Sequence, residues 1–406
     1  MTTGPTFVLV VALLPAAAGA AQGGSPPGAS SAPSSAAPAR ETPSVSFEEA
    51  SRRAAAARDT GDPAEAVRWY REGVRLRPDW DEGWWYIGAL SYERHDSSQA
   101  ARAFGRFVAL KPDSGPGWAL RGLVEFDRRH YDLSMRYLAH GLSLGSVGNA
   151  EIRDVVYYDM AVLRLRAGQF PLASEPLAAL ARAKTETPAL VTACGLFVLG
   201  MAMLPEDVPA EKQELVQAAG RAGFSALGLK REARPRFEEL LARYPDTPNL
   251  HYGYGSYLLQ LGADYAAPAL DAFRKEIEVD PKAVYPRLEI AFELMKQGEH
   301  AAALPYAEEA TRLAPGLFAA HHALGRALLE TGQVPRGVSE LERAVRLAPE
   351  SPDMRAALAR AYVMAGRRED AEKERDAYRR LQVAREKDRL PGFAREDTIP
   401  EEAKKP

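Results

Sequence analysis

The feature that most limits what this chain can fold into is a unit that recurs. Phe318 to Ser351 reads FAAHHALGRALLETGQVPRGVSELERAVRLAPES, 34 residues that divide into two short amphipathic halves. His321, Leu324, Gly325 and Leu328 follow steps of three, one and three, which place them on one face of a helix. Gly332 stops that helix, because glycine accepts the left-handed backbone found just past a helix end. Pro335 lies near the start of a second helix, where its missing N–H is harmless. Gly337, Leu341 and Ala344 line one face of the second helix, and Pro349 closes it. Gly325 and Gly337 are small where the two helices must cross. A hairpin of this size cannot bury its own apolar face, whereas stacked copies can.

The copies are present along most of the chain. Units are read at 47–80, 81–114, 115–148, 154–187, 214–247, 248–283, 284–317, 318–351 and 352–385. Ser46 with Glu49 three residues on forms a capping-box pattern that opens the first. Trp84, Ile87, Gly88, Ala100, Phe104 and Pro112 mark the second, and Trp118 and Gly122 the third. The fourth needs a short insertion before it, and 248–283 carries about two extra residues near Gly262. Between the fourth and fifth units the register fails. Ala189 to Leu204 is uncharged and apolar, too short to span a bilayer, and is expected to be a fully buried odd helix.

The unit resembles the tetratricopeptide repeat. In the copy at 318–351 the family's small positions are Gly325, Gly337 and Ala344, and its closing proline is Pro349. The resemblance implies an all-α, right-handed superhelical α-solenoid of stacked helix-turn-helix repeats, covering about residues 47 to 385. The expected organisation is a signal peptide at 1–21, a disordered Ala/Ser/Pro/Gly linker at 22–45, an N-terminal array at 46–187, an irregular seam at 188–213, a C-terminal array at 214–385 and a charged tail at 386–406. The signal peptide rests on the apolar run Phe7 to Leu14 followed by Ala18-Gly19-Ala20, a small-x-small cleavage pattern. It places the chain in the periplasm or cell envelope.

Composition narrows the chemistry. A formal charge of -3 lacks the basic excess of a nucleic-acid binder. Cys194 is the single cysteine, so no intramolecular disulfide or cysteine-rich metal site forms. Gly141-Leu142-Ser143-Leu144-Gly145 matches the G-x-S-x-G hydrolase string but falls at the end of a repeat helix rather than at a strand-to-helix elbow. The histidines are scattered, and His321 and His322 point to different helix faces, which suits no metal. His321 is read as a packing residue. The chain is expected to be non-enzymatic, with no cofactor and no metal.

The resemblance also implies a groove lined by the first helix of each repeat. Carried over by position, it comprises Trp85, Tyr92, Phe126, Tyr158, Tyr252, Tyr285, Phe292, His322 and Arg326, with Glu93, Leu123, Asp127, Leu165, Arg166, Lys296 and Glu330 alongside. Aromatic side chains at such positions can bury roughly 150–250 Å² each against a ligand. The Asn and Lys pattern of the family's carboxylate clamp is absent, since the first repeat offers Ser51 and Ala55 instead. The expected function is a scaffold binding another protein or an extended peptide in this groove, with self-association possible. The alternative is a structural subunit that oligomerises through repeat edges.

Overall fold

The computed structural model describes residues 45–183 and 186–387. The expected signal peptide, nearly all of the linker and most of the charged tail lie outside the described residues. Nineteen α-helices are present among the described residues. The first unit of the chain, described from 45 to 159, holds α1 (Phe47–Asp59), α2 (Pro63–Leu76), α3 (Asp81–Glu93), α4 (Ser97–Leu110), α5 (Gly115–Asp127), α6 (Tyr131–Ser143) and the start of α7 (Ala150–Arg166). The second begins at Met160. It continues with α8 (Phe170–Ala183), α9 (Pro188–Val198), α10 (Gln213–Leu227), α11 (Ala233–Arg243), α12 (Leu250–Leu261), α13 (Ala266–Val279), α14 (Tyr285–Lys296), α15 (His300–Leu313), α16 (Phe318–Glu330), α17 (Val334–Leu347), α18 (Pro352–Met364) and α19 (Arg368–Lys387). The architecture is an all-α repeat solenoid built of helical hairpins.

Most of the hairpins turn in the same way, the α12–α13 turn at Gly262 excepted. The first helix ends with an N–H bonding to the carbonyl five residues earlier, as from Asp96 to Ser91, His130 to Glu125 and Gln333 to Leu328. The residue just before that donor is left-handed: Gly61, Gly298, Gly332 and Gly366, but also His95 (φ 60°) and Arg129 (φ 59°). This is the Schellman arrangement, which satisfies carbonyls that the helix end leaves without partners. The second helix then starts on a side-chain cap where one is available. Asp62 accepts the Glu65 N–H at 3.0 Å and Asp96 accepts the Gln99 N–H at 2.9 Å. At α1, Ser46 accepts the Glu49 N–H at 3.2 Å as expected, while the Glu49 carboxylate pairs with Arg53 at 2.5 Å.

Helix crossing depends on glycine facing a bulky residue. A methyl group on Gly88 would sit 2.8 Å from the Phe104 ring, one on Gly122 2.6 Å from Leu138, and one on Gly325 2.6 Å from Leu341. Gly255 faces Phe273 in the same way at 2.6 Å, with two more residues of chain between the partners. The extra length is taken up by the 3-10 turn Ala263–Tyr265, which confirms the expected insertion near Gly262. Gly337 closes the reciprocal contact in its hairpin, 3.0 Å from the Gly325 carbonyl.

Successive hairpins are joined by a recurring hydrogen bond. The fourth residue of a unit donates to the carbonyl of the closing proline six residues earlier. Trp84 bonds Pro78 at 2.9 Å and Trp118 bonds Pro112 at 2.8 Å in the first unit. In the second, Arg287 bonds Pro281 at 2.9 Å and Arg355 bonds Pro349 at 3.2 Å. A ring nitrogen of His251 and one of His321 lie 2.9 Å from the carbonyls of Pro245 and Pro315. His321 is 7% exposed, the packing residue expected from its position, and its other nitrogen meets Glu340 at 2.6 Å.

The irregular stretch is a helical hairpin with two 3-10 turns between its arms, Pro205–Asp207 and Ala210–Lys212. α9 and α10 approach so closely that a methyl on Gly195 would meet the Val216 carbonyl at 2.1 Å, and one on Gly220 the Val191 carbonyl at 2.0 Å. α9 is buried along most of its length but stops at Val198, shorter than the apolar run, because Gly200 turns left-handed. α10 packs on both α9 and α11, which leaves an odd number of helices in this stretch. α7 starts at Ala150, ahead of the expected fourth unit, which begins at 154. The GLSLG string lies at the end of α6, where the Ser143 hydroxyl donates to the His140 carbonyl at 2.7 Å.

Gly325→Leu is expected to lower stability by about 1–3 kcal/mol through overpacking against Leu341. Chemical denaturation of the variant and wild type measures it, and coincident curves would count against the crossing.

Candidate binding face

The expected groove residues separate into two groups, one in each unit. In the first unit Trp85 is not a groove residue. It is 7% exposed and packs against Phe104 and Phe107, with ring centroids at 5.9 and 5.0 Å. The neighbouring Trp84 keeps partial exposure instead. Leu123 (2%) is likewise a core residue, and so is Leu165 (0%), which belongs to the second unit. Tyr92, Phe126 and Tyr158 remain half-buried. The Tyr92 hydroxyl donates to Asp127, which ties α3 to α5. Burial, with the carboxylates of Asp127 and Asp159 nearby, pushes that phenol well above its ordinary range. Burial raises the Asp127 carboxyl, and the Tyr92 hydrogen bond opposes the rise.

In the second unit the first helices α14, α16 and α18 lie side by side. α14 presents Tyr285, Glu289, Phe292 and Lys296 at helical spacing on one face. Tyr285 is 51% exposed, and its ring centroid lies 6.3 Å from that of Tyr252 on α12. Tyr252 also leans on Phe273 at 5.9 Å. Burial pushes its hydroxyl up to about 12, helped by the charge of Glu289. Phe292 meets His322 of α16 at 6.0 Å. Arg326 follows four residues on, and both are half-buried. Glu330, one turn further, pairs with Arg360 of α18 at 2.6 Å. Tyr252, Tyr285, Phe292, His322 and Arg326 therefore form a continuous strip across three first helices.

Burial pulls the His322 imidazole down to about 4, with Arg326 adding to the fall and Asp353 opposing it. Burial raises the Glu289 carboxyl, Lys296 pulling it down and Glu293 pushing it up. The strip thus holds a neutral imidazole and a carboxyl raised by burial among one exposed and two half-buried aromatic rings. Sequence reasoning missed Glu289, although its place between Tyr285 and Phe292 on the same helical face was a usable signal. It also missed Glu276, which is 1% exposed. The Glu276 carboxylate accepts the Asn249 and Tyr252 N–H groups at 2.6 and 3.1 Å, holding the start of α12. Its place on the apolar face with Ala269, Ala272 and Phe273, five residues before Pro281 as Ala344 is before Pro349, was the usable signal.

Residues 224–283, 288–336 and 322–388 match the family model described as tetratricopeptide repeat. No curated protein matches the chain. Among solved structures, a double mutant of MamA RS-1 is 22% identical, covering 41% of this chain and 94% of its own, with a TM-score of 0.39. A fragment of MamA from Desulfovibrio magneticus RS-1 is 25% identical, covering 38% and 85%, with a TM-score of 0.35. YrrB, described as a TPR protein with an unusual peptide-binding site, is 19% identical, covering 41% and 87%, with a TM-score of 0.36.

The low His322 value gives a pH dependence with a definite sign. An ordinary imidazole titrates near 6.5. As pH falls from 6.5 towards 4, the unfolded chain takes up the proton before the folded one, so the contribution of neutral His322 is complete above 6.5 and is lost across that window. Glu289 acts with the opposite sign. Denaturant unfolding at pH 7 and pH 5 is expected to show a smaller loss in His322→Asn than in wild type, and equal losses would remove His322 as the source.

Proposed function

Because the chain is a tetratricopeptide-repeat protein, we propose that it is a non-enzymatic scaffold of the cell envelope that binds an extended segment of another protein along the strip on α12, α14 and α16. The observation that carries this reading is the alignment of Tyr252, Tyr285, Phe292 and His322 across adjacent first helices, with Tyr285 half exposed. Aromatic rings held by a rigid helical layer offer large contact area with little ordering entropy left to lose. Arg326 and Lys296 flank the rings with positive charge, which suits backbone carbonyls or acidic side chains of a bound segment. The leader-like sequence Phe7 to Ala20 supports the envelope setting of this reading.

Affinity capture from an envelope extract, with the full chain as bait and Tyr285→Ala/Phe292→Ala as control, tests the binding role. Partners held by the wild type are expected to be lost by the control, provided its thermal melt is unchanged. Equal capture by both would move the interaction off this strip. The export reading has its own measurement: N-terminal sequencing of the protein from its source cell is expected to begin near Ala21, and intact Met1 in a soluble cytosolic fraction would overturn it.

A further inference from the structure

The first unit holds a cavity of about 330 Å³ that uses none of the strip residues. Arg71 and Arg75 of α2 stand on one side and Arg102 of α4 on the other, with Trp84 of α3 between them. Val74, Ile87 and Ala103 supply an apolar base. The Trp84 indole N–H is already committed to the Pro78 carbonyl at 2.9 Å, so the ring is fixed and offers its face. The Arg106 guanidinium lies 5.9 Å from that ring's centroid.

The charge on the rim is uncompensated. Arg75 is held by both oxygens of Glu72, at 2.9 and 2.6 Å. Arg71 and Arg102 are exposed, and among the described residues neither forms a side-chain ion pair or hydrogen bond. Two unpaired guanidiniums on the rim of one concavity leave a local positive field in a chain whose formal charge is -3. A guanidinium fork fits a carboxylate with two parallel hydrogen bonds. The volume is at the lower end of the roughly 300–1,000 Å³ of small-molecule sites and suits one or two side chains. The aliphatic base and fixed indole face suit an apolar side chain between the carboxylates.

We propose that the cleft between α2 and α4 is a second binding site, which takes an acidic segment of a partner protein in which carboxylates flank an apolar residue. Carboxylates pair with Arg71 and Arg102, and the apolar side chain lies on Val74 and Ile87 against the Trp84 ring. The site lies between successive second helices, so it is independent of the first-helix strip and does not rest on it. A nucleic acid is disfavoured because its backbone needs a longer basic stripe than this local cluster provides.

The test is fluorescence anisotropy of the full chain with a short fluorescein-labelled peptide of alternating Glu and Leu. Wild type is expected to bind it, and the same peptide with Gln in place of Glu is expected not to bind. Arg71→Gln/Arg102→Gln should weaken binding by roughly tenfold per arginine. Both side chains are exposed, so the melting curve of this variant should match wild type. Tyr285→Ala/Phe292→Ala should bind the peptide as wild type does, which separates this site from the strip. Failure of wild type to bind, equal binding by the Arg71→Gln/Arg102→Gln variant, or equal binding of the Gln peptide would overturn the proposal. So would tighter binding of a single-stranded oligonucleotide, which would make the cluster a general polyanion surface.

Discussion

The bond from the fourth residue of a unit to the preceding proline carbonyl is the contact on which stacking depends. A helix that ends before a proline leaves its last carbonyls without intrahelical donors. The next helix supplies one from a long side chain, and this fixes where that helix begins relative to the last. The donor chemistry differs along the chain. In the first unit it is the Trp84 and Trp118 indoles, which add aromatic surface to the joint. In the second it is Arg287, His321 and Arg355 together with His251, and the first three reach carboxylates of their own second helices, Glu309, Glu340 and Glu374. Arg287 is only 3% exposed, a placement a guanidinium tolerates only with such partners.

Much of this was legible in the sequence, for an identifiable reason. Period, closing prolines and glycine–bulky pairs such as Gly88 with Phe104 are local, and each repeat restates them, so one ambiguous copy is corrected by its neighbours. The two-residue insertion near Gly262 could be read because the flanking register was intact. Where a decision turns on one residue, the pattern loses force. Trp84 and Trp85 are adjacent and equally large, and helical rotation alone decided that Trp85 enters the core. The fourth unit shows the same limit: its register is right, with left-handed Gly168 placed as Gly332 is in the eighth, yet Leu165 enters the core where Tyr92 and Phe126 at the same position stay half-buried. Glu276 and Glu289 act singly, outside any repeat position that carries charge.

The two candidate surfaces differ in what they ask of a ligand. The strip on α12, α14 and α16 is aromatic, with Lys296 paired to Glu293, Glu330 paired to Arg360, His322 held neutral by burial and Arg326 the half-buried charge among the rings. Its recognition rests on apolar contact and shape. The cleft between α2 and α4 is the reverse, with exposed guanidiniums over an apolar base. Contacts of the first kind change little with ionic strength, while those of the second weaken as salt screens them. Repeat architecture permits both, because each hairpin holds its own core and leaves its first-helix and second-helix sides free to vary separately.

The packing around α9 has a consequence for how the chain assembles as it is made. Elsewhere the joints described here close across six residues and the crossings across a single hairpin, so each module can settle as soon as it is synthesised. Around α9 the chain must wait. Asn249 donates to the Leu199 carbonyl and Arg236 pairs with Glu186, each bond spanning 50 residues. Until Asn249 has emerged, the Leu199 carbonyl at the end of α9 lacks that donor. On a ribosome these two bonds close well after the first hairpins have formed.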